Sequence, residues 1–304
     1  MIMLSLIIPT LNSSRRLGPL LEAAEAQTLP PDEIIVVDSS SDDDTAAVAR
    51  GRGARVIEIP RKDFDHGGTR SMAASAASGD FLIYMTDDAV PADRDAFFRL
   101  ISAFGDKAVG AAYGRQLPHP GSDVFGRALR FFNYPAEPCV RNYADRVKFG
   151  IKTPFLSNSF AAYRRNALLR VGSFKPDLLL GEDTYAGGKL LLAGYSIAYV
   201  PGSVVFHSHD YSPWQEFKRY FDIGVFHRRE SWILDSFGKA EGEGVRFVRA
   251  ALKFLKSNSA GGRIPEFFFR TILKYIGYKA GYVHELLPAR VRRMLSMHPG
   301  WWGN

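Results

Sequence analysis

Apolar and polar positions alternate in blocks along the first ninety residues. Residues 4–9 form an apolar run of strand character, Thr10-Leu11-Asn12-Ser13 is a polar turn, and residues 15–27 carry helical spacing. The unit then repeats, with an apolar strand at 33–38, a turn at Ser39-Ser40-Ser41-Asp42 and a short helix at 45–50. A third strand covers 54–59. The loop 61–68 leads into an alanine-rich helix at 69–78 and then into Phe81-Leu82-Ile83-Tyr84-Met85, which Gly79-Asp80 precedes and Pro91 stops. Strands alternating with helices at this spacing predict an α/β fold with a doubly wound, mostly parallel sheet flanked by helices. A run as continuous as 81–85 belongs in the interior of such a sheet, covered on both faces.

Beyond residue 100 the pattern is less regular. Residues 113–120 and 131–135 read as aromatic-rich loops, of the kind that form binding surfaces. A further strand is expected at 156–163, a short helix at 166–170 and a helix opening at Glu182 and running through Ala193. The strand 196–200 leads through Pro201 to a second apolar run at 204–206, and residue 213 starts a helix on which Phe217, Tyr220, Phe221 and Val225 form a core-facing stripe. From about Gly238 the chain is helical and basic, with a break at 241–244. Phe268, Ile272, Ile276 and Val283 lie near one helical face, while Arg270, Lys274 and Lys279 supply positive charge. Two arrangements fit: the helix rests on an anionic membrane surface, or it packs on the preceding domain with a solvated basic face. Trp301 and Trp302 suit either an interface or a loose tail. The pattern divides the chain into an α/β domain, 1–230, and a helical, basic and amphipathic C-terminal region, 231–304.

Composition narrows the setting. A chain of 304 residues with 46% hydrophobic content can bury a sizeable core. The single cysteine, Cys139, excludes an intramolecular disulfide framework and a cysteine-based metal cluster, which favours a reducing compartment and a cytoplasmic location. Residues 1–4 lead into a strand without the pattern of a secretory signal, and no apolar run reaches the roughly 18–20 residues of a membrane span. A formal charge of +7 favours an anionic partner. No nucleic-acid-binding motif is present, so the anion is expected to be a phosphorylated small molecule or a lipid surface rather than nucleic acid.

Candidate chemistry sits at strand ends. Asp87 and Asp88 follow the buried run 81–85, and Asp38 ends the strand 33–38, so acidic groups should meet on one rim of the sheet, where open α/β folds bind ligands. Paired carboxylates there either hold a divalent cation or begin a loop and cap the next helix. No Gly-x-Gly-x-x-Gly and no phosphate-binding Gly-x-x-x-x-Gly-Lys-Ser/Thr occurs, which excludes the usual dehydrogenase and P-loop chemistries. Glu182 and Asp183 are either helix-start acids favoured by the macrodipole or a catalytic pair. His207 and His209, two apart on an extended segment, point to one side as metal ligands, acid–base groups or ordinary polar residues.

Together these stretches resemble glycosyltransferase family 2 of the GT-A fold, and more narrowly bacterial rhamnosyltransferases that use dTDP-L-rhamnose. The general likeness rests on residues 6–12, 35–42, the Asp87-Asp88 pair and Gly181-Glu182-Asp183; the narrower one rests on 64–70, Gly114-Arg115-Gln116, 132–135 and 207–212. The resemblance implies a nucleobase held by Asp38 with Pro9, Thr10 and Asn12 lining its pocket. It implies further donor contacts from Asp65, Arg70 and Asp87. Asp88, with His207 or His209, is then the ligand of a divalent metal, Mn2+ or Mg2+, and Asp183 is the catalytic base of an inverting transfer. Arg70 is expected at the diphosphate. The partners so implied are a nucleotide-sugar donor, dTDP-rhamnose above UDP-hexose or UDP-galactofuranose, and a glycan or lipid-linked glycan acceptor, with peripheral membrane contact through the C-terminal region. The reading set against it is a catalytically silent nucleotide-sugar-binding or scaffold protein.

Overall fold

The parallel half of the sheet forms where the sequence alternation is cleanest. In the computed structural model, which describes residues 2–238 and 242–303, β1 (Leu4–Thr10), β2 (Glu33–Asp38), β3 (Arg55–Glu58) and β4 (Phe81–Met85) lie parallel in the order β3-β2-β1-β4. The connecting helices are α1 (Ser14–Glu25), α2 (Thr45–Gly51) and α3 (His66–Ala76). Alternate residues face opposite layers: Ile7, Ile35 and Tyr84 enter one core, Leu6, Ile8, Val36 and Ile83 the other. All five residues of β4 are buried, as its continuous apolar run requires.

The sheet then turns mixed. β5 (Val90–Pro91), α4 (Ala96–Ser102), β6 (Val109–Leu117), α5 (Val124–Asn133), β7 (Cys139–Arg141), α6 (Arg146–Phe149), β8 (Phe160–Arg164), α7 (Arg165–Arg170), α8 (Glu182–Leu192) and β9 (Ser196–Phe206) follow in the chain. β8 inserts antiparallel between β4 and β6, while β6 and β9 are parallel and β9 carries β5 and β7 at its outer side.

Several expected boundaries change here, each for a local reason. Residues 113–117 are strand, not loop, because β6 keeps its pairing with β9 through Leu117 and buries Tyr113 and Gln116. Residues 131–133 are the last turn of α5. The strand expected at 156–163 starts only at Phe160. The runs 196–200 and 204–206 form one bulged strand, and Val90-Pro91 adds to its edge, a position where proline is tolerated. α3 begins at His66, ahead of the alanine run, because the Asp65 side chain caps it by accepting from the Gly68 N–H.

The C-terminal region holds α9 (Pro213–Arg229), α10 (Ser231–Phe237), α11 (Glu243–Ser257), α12 (Ile264–Tyr282) and α13 (Ala289–Leu295). Of the expected break at 241–244, Glu241 lies outside the described residues, while Glu243 and Gly244 already belong to α11. The expectation of a solvated basic face on α12 is overturned. Phe267, Arg270, Lys274, Gly277 and Gly281 form the stripe against α9, whereas Phe268, Phe269, Ile272, Tyr275 and Ile276 are exposed. Glu216 of α9 explains the inversion, because it takes Arg270 at 3.2 Å and Lys274 at 2.8 Å in a buried cluster. Gly277 and Gly281 bring the helices together, since a Cβ on Gly281 would collide with the Phe221 carbonyl. Trp301 and Trp302 are neither a free interface nor a loose tail but pack against Leu179, Phe221 and Val225.

Candidate active site

One carboxylate and two imidazoles meet at the rim where β4 and β9 end. Asp88 lies on the turn after β4, and His207 and His209 follow β9. His207 Nε2 is 3.3 Å and His209 Nε2 3.8 Å from the Asp88 carboxylate, and one ligand atom from each residue falls within 4.8 Å of the others. Gln116 of β6 sets the tautomer of His207. Its Oε1 accepts from Arg130 Nη1 at 2.5 Å, which identifies that atom as oxygen, and the same oxygen is 2.8 Å from His207 Nδ1. His207 must therefore donate from Nδ1, which leaves the Nε2 lone pair facing a carboxylate oxygen. A proton on the ring or a metal cation would satisfy two such electron-pair donors, and a carboxylate with two imidazoles is a donor set that manganese accepts. Burial lowers the His207 pKa, in keeping with a neutral ring.

The second cluster opens α8. Gly181 takes a left-handed conformation (φ 81°) that turns the chain into the helix. Asp183 then accepts from the Thr184 N–H at 2.6 Å and the Asn158 N–H at 3.3 Å. Glu182 points the other way, into a buried pair with Arg70 Nη1 at 3.2 Å, with Asn158 Nδ2 at 3.2 Å. The two acids are driven apart in acidity. Burial, reinforced by the negative charge of Glu182, pushes the Asp183 carboxyl up to about 7, whereas Arg70 leads the interactions that overcome burial and hold Glu182 below its ordinary value. Capping and the helix dipole alone would lower both. A carboxylate poised near neutrality suits a general base.

Both clusters open onto one cavity of about 600 Å3, lined among others by Arg70, Asp183, His207 and His209. The cavity has a cationic side: Arg130 of α5 and Arg219 of α9 line it, and neither has a carboxylate partner among the described residues. Burial lowers the pKa of Arg130, the mark of a charge held without a counter-ion.

The remaining sequence candidates separate into two groups. Pro9, Thr10, Asn12, Asp38 and Asp87 gather beside the first cluster, at the ends of β1, β2 and β4. There Asp38 is buried, accepting from Thr10 Oγ1 and from the N–H and Oγ of Ser41, and Asn12, itself left-handed, accepts from the Asp42 N–H at 2.8 Å. Asp87 takes Arg16 at 2.7 Å and the Ser13 hydroxyl. Asp65 is set apart from the cavity, capping α3 and accepting from the Asp177 N–H at 3.0 Å. Arg70 reaches the cavity wall, where its Nη1 is shared between Glu182 and the His66 carbonyl and its buried Nε has no partner among the described residues.

Arg130, Arg219 and His298 are absent from the sequence candidates. Each arginine stands on a helix among many basic residues, so only the fold distinguishes these two by facing them toward Asp88 and Asp183. Gln116 lay within a noted motif, but its bridging role needs β6 beside β9.

Residues 5–172 match the model of Glycosyl transferase family 2. The chain is 43% identical over 303 residues to the O-antigen chain rhamnosyltransferase RfbN of Salmonella typhimurium, covering 99% of this chain and 96% of that protein. It is 42% identical over 302 residues to the O-antigen chain rhamnosyltransferase WbaN of Salmonella anatum, with the same coverage. Among solved structures it is similar to the mannosyltransferase PcManGT from Pyrobaculum calidifontis in complex with GDP-Man and Mn2+. The TM-score is 0.60 at 19% identity, over 98% of this chain and 84% of that one, a likeness of fold.

Proposed function

The chain belongs to glycosyl transferase family 2, and from that premise we propose that it is an inverting rhamnosyltransferase using dTDP-β-L-rhamnose and acting on a glycan of the O-antigen type. The observation that carries the chemistry is the pairing, in one cavity, of a carboxylate poised near neutrality with two arginines that have no carboxylate partner among the described residues and an Asp–His–His cluster. The named activity of the two Salmonella relatives supports the sugar and the acceptor class.

Asp183 takes the proton of the acceptor hydroxyl while that oxygen attacks the anomeric carbon. The bond from that carbon to the diphosphate oxygen breaks on the opposite face, the nucleoside diphosphate departs with the electron pair, and a β donor gives an α-rhamnoside. Arg130 and Arg219 face the growing negative charge, an assignment that replaces Arg70, whose charge Glu182 neutralises. Asp88, His207 and His209 would hold Mn2+ or Mg2+, which supplies further positive charge at the diphosphate. The turn Pro9-Thr10-Leu11-Asn12 with Asp38 and Asp87 forms the nucleotide end, and Asp65 supports the site by fixing the start of α3.

Nucleotide release from a panel of donors, in the presence of lipid-linked glycan, tests this reading. Turnover of dTDP-rhamnose is expected to exceed that of UDP-galactose or UDP-galactofuranose by at least about tenfold, to stop with EDTA and to return with Mn2+ or Mg2+. Equal turnover of a UDP-sugar would overturn the donor, EDTA-resistant turnover the metal, and no turnover of any donor would leave a binding protein.

We place the enzyme at the cytoplasmic face of a membrane, on the α12 stripe. No helix among the described residues is long and apolar enough to cross a bilayer. Phe268, Phe269, Ile272, Tyr275 and Ile276 are nevertheless exposed on one side, with Lys279 in line and Arg249, Lys253 and Lys256 exposed on α11 without carboxylate partners among the described residues. A second copy docked across the stripe would bring these like charges together, whereas an anionic bilayer answers both the apolar surface and the charge. The double variant Ile272→Glu/Ile276→Glu is expected to lose at least about tenfold in binding to phosphatidylglycerol vesicles while keeping turnover of a soluble acceptor. Unchanged vesicle binding would contradict the placement.

A further inference from the structure

The last residues of the chain return to the transfer site. Between α13 and the closing turn, Ser296 is fully buried, and the Met297 N–H donates at 2.8 Å to Asp222, a fully buried carboxylate in α9. Leu295, Trp301 and Trp302 pack on Phe221 and Val225 on either side of that bond, so the segment is anchored at three points. Its position delivers Met297 and His298 to the wall of the same cavity that holds Asp183 and His207. The His298 ring stands edge-on to His66 at 5.5 Å, and His66 Nδ1 is 3.4 Å from Arg70.

We propose that the segment 296–298 is an integral wall of the transfer site and that His298, with His66, binds hydroxyl groups of a sugar. This rests on the glycosyl-transfer reading above. Arg130 and Arg219 suit an anion at the Asp88 side of the cavity. Beside His298, Arg70 is already neutralised by Glu182, and the charge of Arg219, which reaches His66 and His298 as well, favours uncharged rings there. The two imidazoles there are neutral: burial brings His66 down to about 4 and also lowers His298. A neutral imidazole offers one donor and one acceptor, the complement of a hydroxyl group, and has no charge to bind phosphate. The boundary expected at residue 230 is therefore not a functional one, since the site draws a wall from beyond residue 290.

The bound hydroxyls belong either to the donor sugar or to the acceptor, and kinetics separate the two. His298→Ala is expected to bind dTDP alone within twofold of wild type. If the donor sugar is the ligand, the same variant binds dTDP-rhamnose at least tenfold more weakly by calorimetry. If the acceptor is the ligand, donor binding holds and the acceptor KM rises at least tenfold. His298→Gln, which keeps a donor and an acceptor, should recover most of the loss, a rescue that simple packing would not need. Asp222→Ala, which frees Met297, should reproduce the His298→Ala profile. Donor affinity, acceptor KM and kcat all within twofold of wild type in His298→Ala would overturn the proposal, as would a loss that Gln does not relieve. Failure of the underlying reading is distinct, because the wild-type protein itself would then turn over no nucleotide sugar.

Discussion

Asp183→Asn is expected to lower kcat by roughly 10²–10⁴-fold, the range a positioned general base supplies, with nucleotide affinity unchanged. The substitution is nearly isosteric, and the amide oxygen can still accept from the Thr184 N–H, so α8 keeps its start. What disappears is proton acceptance at an atom facing the cavity. In the wild-type protein the rate should climb as pH rises through about 7, because only the ionised carboxylate accepts the acceptor's proton. Glu182→Gln removes the neighbouring negative charge that helps hold the Asp183 pKa up, so the midpoint should move to lower pH. Rate–pH profiles of the three proteins check both statements. More than a tenth of wild-type turnover in Asp183→Asn would remove Asp183 from the role of base.

The parts of this site that were legible in the sequence are those placed by local pattern. An apolar strand ending in acid puts Asp38, Asp87 and Asp88 on one rim whatever the rest of the chain does, because strand ends in a parallel sheet share a side. His207 and His209 were legible for the same reason, being two apart on an extended segment. The missed residues depend on helix orientation. Residues 264–282 carry two possible stripes, one apolar with a single lysine and one with Phe267, Arg270, Lys274, Gly277 and Gly281. Hydrophobicity alone selects the first as the buried face. The second wins because Glu216 neutralises both cations and the glycines permit close helix contact, and neither fact is local to the helix. The same limitation hid His298, which lies far along the chain from Asp88 and Asp183 and is held in place by the bond from the adjacent Met297 N–H to Asp222. Residues 113–117 were misread because Gly114, Arg115 and Gln116 look like turn residues, although in β6 they continue its parallel pairing with β9.

Arg70 lies in a buried pair with Glu182, and its replacement should act on stability and acidity before it acts on donor binding. Arg70→Met leaves Glu182 buried without its cation, and breaking one side of a buried pair costs about 3–5 kcal/mol. Urea denaturation of Arg70→Met should show that loss, and the double variant Arg70→Met/Glu182→Leu, which removes both charges, should recover a large part of it. The pH profile supplies an independent sign. Arg70 lowers the Asp183 pKa, so its removal should move the acid limb of the rate to higher pH, opposite to the shift expected for Glu182→Gln. A diphosphate ligand would behave differently: its loss would raise the donor KM and leave stability and the limb in place. Opposite limb shifts for the two variants would establish that Arg70 and Glu182 act on Asp183 as a charge pair, with the diphosphate left to Arg130 and Arg219.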